Sequence, residues 1–98
     1  MNKERLREVI RLNLISLRIN KGITQSDIAA ITNKSKNAVA SWEQGKSLPD
    51  VTTLYELSKF YHKNMEYFYT ENNEDWQASR LTAYSRLLRE KVTKWLKN

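Results

Sequence analysis

The sequence predicts an all-α protein on three observations. Apolar residues recur at three- and four-residue steps through most of the chain. Only two glycines and one proline interrupt its 98 residues. No stretch alternates apolar and polar residues for the length of a strand.

The first helix is predicted over residues 3–20, where Leu6, Val9, Ile10, Leu14, Ile15 and Leu17 fall at helical spacing and Gly22 stops the run. Thr24 then opens a second helix at Gln25. Its hydroxyl can accept from the free amides of the first turn, and Asp27, three residues on, sets a carboxylate near the positive end of the dipole. Ile28, Ala29 and Ile31 are expected to face inward, and Asn33 to leave the helix through left-handed backbone. Ser35 caps a third helix with Val39 and Trp42 on one face and Lys36, Asn37, Ala40, Ser41 and Gln44 pointing elsewhere; Gly45 ends it. After Pro49, Asp50 caps a fourth helix whose Leu54, Leu57 and Phe60 point inward, and Asn64 caps a short fifth from Met65.

Residues 70–75 (TENNED) are polar and acidic and read as a linker. Beyond them, residues 76–98 form an amphipathic helical pattern with Leu81, Tyr84, Leu88, Val92 and Trp95 on one stripe. Arg86, Arg89, Lys91, Lys94 and Lys97 crowd its second half, which complements a helix dipole and also suits contact with phosphate.

The formal charge of +6 favours an anionic partner, and nucleic acid is the commonest one for a small basic protein. Without cysteine there are no disulfides or thiolate metal sites. No apolar run has the length of a membrane span or signal core, and the amino terminus is charged, so a cytoplasmic protein with no membrane partner is expected. The one histidine, His62, has no second ligand at metal-binding spacing. No phosphate-cradling loop, HExxH or nucleophile with a base occurs, so neither an enzyme nor a cofactor is expected. Two short helices joined by a tight polar turn, the second with a small polar outer face, suit a DNA major groove.

Across residues 12–69 the chain resembles the helix-turn-helix domain of the XRE/Cro-repressor family. The resemblance rests on Arg18, Gly22 before Thr24 and Gln25, Ala29, Ser35, Trp42 to Gly45 (WEQG), Pro49 and Leu54. Thr32 and Lys34 depart from it, standing where the family places apolar residues on either side of a turn glycine, here Asn33. The resemblance implies a five-helix, repressor-like domain over residues 1–69, to which the linker and the C-terminal amphipathic helix are appended. It places Lys36, Asn37 and Ser41 on base edges. Lys36 can donate to guanine O6 and N7, Asn37 can pair with adenine, and Ala38 or Ala40 can meet a thymine methyl. It places Gln25, Gln44 and Lys46 on the phosphate backbone, and Lys34 and Ser35, at the turn, are further candidates for it; such contacts position without reading sequence. It also pairs Arg18 with Glu43 as a structural ion pair and leaves Trp42 in the core.

The expected function is therefore a sequence-specific regulator of transcription, most often a repressor in this family, acting on a double-stranded DNA operator. One recognition helix reads too few base pairs to find a site in a genome, so a homodimer on a near-palindromic operator is expected. The stripe Leu81, Tyr84, Leu88, Val92 and Trp95 is the candidate interface; its other destination is the chain's own first helix, over Leu6 and Ile10. Two alternatives use the C-terminal helix to bind a partner protein, an antitoxin-type regulator and a protein-interaction adaptor.

Overall fold

A computed structural model describes residues 2–71 of the chain. They form four α-helices, α1 (Lys3–Lys21), α2 (Gln25–Thr32), α3 (Lys36–Glu43) and α4 (Val51–Tyr61), and no strand. The expected fifth helix is a 3-10 helix, Met65–Tyr69. The predicted helix over residues 76–98, with Leu81, Tyr84, Leu88, Val92 and Trp95, lies outside the described residues.

Each of the five elements starts on a polar side chain that accepts from the backbone amide three residues on. Asn2 accepts from Arg5, Thr24 from Asp27, Ser35 from Ala38, Asp50 from Thr53 and Asn64 from Tyr67, at 2.8 to 3.1 Å. Three helices leave through left-handed residues: Gly22 after α1, Asn33 after α2 and His62 after α4. Helix boundaries are thus written by local hydrogen bonding, which is why they agree with the sequence expectation to within a residue or two.

Two of the caps titrate. The backbone amide and the hydroxyl of Thr24 hold the Asp27 carboxyl below the usual range, and the amide of Thr53 does the same for Asp50 with help from Lys34. A depressed folded-state pKa means stability that is present above the unfolded value and lost as pH falls through the folded one. Acidification below about pH 4 should therefore lower the melting temperature, and Asp27→Asn with Asp50→Asn should flatten that dependence. Identical acid limbs for wild type and double variant would contradict these assignments.

Helix α1 is the central element, buried at every position from Glu8 to Leu17 except half-buried Arg11. The expected stripe is therefore too narrow, since Leu12, Asn13 and Ser16 are buried as well. The reason is that different sides of α1 are covered. Arg11 and Arg18 turn toward α3, while Asn13, about 200° round the helix from Arg11, turns toward the 3-10 helix. Ile10, Leu14 and Leu17 join Ile28, Ala29, Val39, Trp42, Leu54, Leu57, Tyr61 and Phe68 in one cluster, with Leu6 packed against it. Leu6 and Ile10 therefore belong to the domain's own core.

Two inward assignments need correction. Ile31 is exposed, and Thr32 takes its place in the interior at 2% exposure. On α2, residues 28, 29 and 32 span one arc and residue 31 lies about 110° from its centre. Burial is tolerated because the Thr32 hydroxyl donates to the Ile28 carbonyl at 2.7 Å. On α4, Tyr61 is buried while Phe60 is only partly so, its ring lying under the Lys21 ammonium at 4.8 Å.

Thr70 and Glu71, which the sequence reading places in a linker, contact α1. The Asn13 amide nitrogen lies 2.9 to 3.1 Å from the carbonyl oxygens of Tyr67, Phe68 and Thr70, and the Arg5 guanidinium pairs with Glu71. Thr70 and Glu71 are thereby docked on α1.

Candidate nucleic-acid interface

The helix pair that could meet DNA is α2 and α3. Helix α2 opens with a reciprocal box, Asp27 N to Thr24 Oγ1 at 3.1 Å and Thr24 N to Asp27 Oδ2 at 2.8 Å. It closes at Asn33, whose φ of 54° turns the chain within three residues into the Ser35 cap of α3. The amide of Lys34 returns to the Ala29 carbonyl at 3.0 Å, so the turn is tied to the helix it leaves.

Only one side of α3 is committed to the interior. Val39 and Trp42 are buried, and Ala38 packs partly against the core cluster. Lys36 and Asn37 are exposed in the first turn, with Ala40 and Ser41 half-buried. Ala38 is therefore turned from the open face, leaving Ala40 the better placed of the two alanines. The Ser41 hydroxyl lies 2.8 Å from that of Ser47, a loop residue that nothing in the sequence singled out.

Around this open face stand the residues expected at phosphates. Ser35, Gln44 and Lys46 are exposed. Lys34 is exposed as well, and its ammonium lies 3.7 Å from the Asp50 carboxylate at the start of α4. Gln25 differs: its side-chain amide donates to Glu43 Oε1 at 3.1 Å, so one of its two N–H groups is already engaged within the protein.

What aims α3 is a set of charged contacts on Glu43. Arg18 meets this carboxylate with both arms of its guanidinium, Nε to Oε2 at 2.7 Å and Nη2 to Oε1 at 2.8 Å, and its Nη1 donates to the Ile23 carbonyl at 3.0 Å. The side chains are 16% and 6% exposed, so water competes little for the pair. Burial and the nearby Glu43 carboxylate push the Tyr61 phenol well above its ordinary range, more than Arg18 offsets.

A second guanidinium, missed in the sequence, acts two turns earlier on α1. Arg11 Nε donates to the backbone carbonyl of Glu43 at 2.7 Å, and Nη1 pairs with Glu8. The last carbonyls of a helix have no internal partner, and here α1 supplies one. Gly45, at φ 77°, lets the chain pass: a Cβ there would stand 3.3 Å from Arg11 Cδ. The available signal was the spacing of seven between Arg11 and Arg18, which puts both on one helix face.

His62 is exposed at the end of α4, and among the described residues no group of His, Asp or Glu is arranged to hold a metal. No helix among the described residues is long and apolar enough to cross a membrane.

Comparison with known proteins agrees with this geometry. A family model described as Helix-turn-helix matches residues 14–68, a span that contains α2, α3, α4 and the Arg18–Glu43 pair. Among curated proteins, an uncharacterized HTH-type transcriptional regulator, y4dJ of Sinorhizobium fredii, is 37% identical over 54 residues, covering 55% of this chain and 70% of the relative. No solved structure matches the chain.

Proposed function

The chain belongs to the XRE-type helix-turn-helix family of DNA-binding transcriptional regulators rather than to any class of enzyme, and from that premise we propose that it binds a near-palindromic operator as a dimer and acts as a repressor in the cytoplasm. The observation that carries this reading is the exposure of Lys36 and Asn37 on the first turn of a helix whose far end is clamped by Arg18 and Arg11. Docking amino-end first puts those two side chains on base edges, with Ser41 and Ala40 one turn on. Ser35, Lys34, Gln44, Lys46 and the second N–H of Gln25 then face phosphates. Occupying a promoter in this way blocks polymerase without any catalytic residue.

Selection from a random duplex pool at near-physiological salt, where non-specific attraction is suppressed, tests the reading. The expected product is an inverted repeat with half-sites about one helical turn, roughly 34 to 36 Å, apart. Lys36→Ala or Asn37→Ala should weaken binding to that site by about 1 to 3 kcal/mol per half-site while melting like wild type. A pool with no enriched sequence would remove the operator-binding repressor reading and favour an adaptor or a partner-dependent antitoxin-type regulator.

The dimer is assigned to the apolar stripe Leu81, Tyr84, Leu88, Val92 and Trp95. Five large apolar residues on one stripe exceed what a lone exposed helix should display. Truncation after Thr70 should leave a folded monomer that binds the operator weakly. A truncated protein that still sediments as a dimer would move the interface into residues 1–70.

A further inference from the structure

Ser41 lies one turn past Asn37 on the open face of α3, and its hydroxyl is 2.8 Å from the hydroxyl of Ser47 in the loop that follows. Either oxygen can be the donor. A lone serine is a poor reader of bases, because its hydroxyl turns freely and serves equally as donor or acceptor. A second hydroxyl in contact removes that freedom, since whichever oxygen gives its proton to the other is left with lone pairs only.

Resting on the reading of α3 as the recognition helix, we propose that Ser47 contacts a phosphate and thereby makes Ser41 a reader of base amino groups. Ser47 is exposed, and it follows exposed Lys46 immediately past the helix, where a phosphate is drawn by the lysine charge. A phosphate diester oxygen only accepts, so the Ser47 proton goes to it. The Ser47 oxygen then accepts the Ser41 proton, and Ser41 turns its remaining lone pair to the groove. In the major groove the donors that lone pair can meet are the N6 amine of adenine and the N4 amine of cytosine. Ser47 is thus a positioning residue, acting on sequence through Ser41.

The test uses the full-length protein and the operator it selects. Ser41→Ala locates the base pair at which Ser41 acts, because preference is lost there. At that pair the wild type is expected to prefer adenine or cytosine on the contacted strand. Exchanging that base for one that presents a carbonyl oxygen to the major groove there, guanine or thymine, should weaken wild-type binding about fivefold, the order of one hydrogen bond. Ser47→Ala should bind more weakly overall and distinguish the two duplexes by less than about twofold, because its Ser41 rotates freely again and donates to the carbonyl as readily as it accepts from the amine. Unchanged thermal melting of both variants, expected at so open a site, shows that the fold is not the cause. A preference for guanine or thymine at that pair, or full discrimination by Ser47→Ala, overturns the relay. So does a Ser41→Ala variant with no altered position. Lys36→Ala separates this failure from a wider one. If it still changes the selected sequence, α3 reads DNA and only the serine relay is wrong; if the wild type itself selects nothing, the functional reading fails too.

Discussion

Arg18→Ala is expected to cost about 3 to 5 kcal/mol, the range for removing one partner of a buried ion pair, and to abolish operator binding together with the fold's stability. The Glu43 carboxylate is 6% exposed and receives two bonds from Arg18 and one from Gln25. With the guanidinium gone, a buried anion keeps one neutral donor for its side chain, and the Ile23 carbonyl loses its bond from Nη1. Helix α3 can relieve the charge only by moving, and movement displaces Lys36 and Asn37, the proposed base-reading side chains. Replacing both partners by apolar residues, Arg18→Met with Glu43→Leu, should recover most of the stability, since burying either charge requires the other to offset its desolvation. Chemical denaturation of the wild type, Arg18→Ala and the double variant checks this. A single variant that unfolds at the wild-type denaturant concentration would show that water reaches Glu43 and that the pair does not aim the helix.

Phe68→Ala is expected to be as damaging to stability, by about 3 to 5 kcal/mol for an aromatic removed from a packed core, but to leave the reading face intact in molecules that remain folded. Phe68 has no exposed surface, and its carbonyl is one of the three that face the Asn13 amide. The 3-10 helix is therefore held by a ring inside the core and by a buried side chain on α1. Emptying the ring's place leaves a cavity that a short, pinned segment cannot collapse to fill. Tyr69→Ala, next in the chain but 37% exposed, should cost less than about 1 kcal/mol. Equal loss in both variants would mean that the segment contributes through backbone order and not through packing. Measured below its lowered melting temperature, Phe68→Ala should hold operator with nearly wild-type affinity. Arg18→Ala should not, and that contrast separates residues that support the domain from those that aim the helix.

The caps Thr24, Ser35, Asp50 and Asn64 were legible because each accepts from an amide three residues away, a bond whose partners the chain brings together by itself. The left-handed exit at Asn33 was legible for the same reason. The Arg18–Glu43 contact was suggested only by family resemblance, because no local rule joins residues twenty-five apart. Ile31 was misassigned to the interior, and Thr32 was not picked out for it, because periodicity reports which residues share a face and not how wide a face the neighbours cover. Arg11, Asn13 and Ser47 were not picked out at all. Polar residues among apolar ones read as solvent-facing, and their roles depend on carbonyls or hydroxyls supplied by other segments.

The sequence by itself therefore determined the helices, their caps, the polar turn and the identity of the side chains offered on the first turn of α3, since these follow from hydrogen bonds and periodicities that close within a few residues. Tertiary structure alone decided where α3 points, through Arg18 and Arg11 on Glu43. It also decided that Gln25 is partly engaged and that the chain stays docked on α1 as far as Glu71. Those outcomes depend on which donor a folded neighbour brings within about 3 Å of which acceptor, a distance that exists only after the core of Ile10, Leu17, Val39, Trp42 and Phe68 has closed.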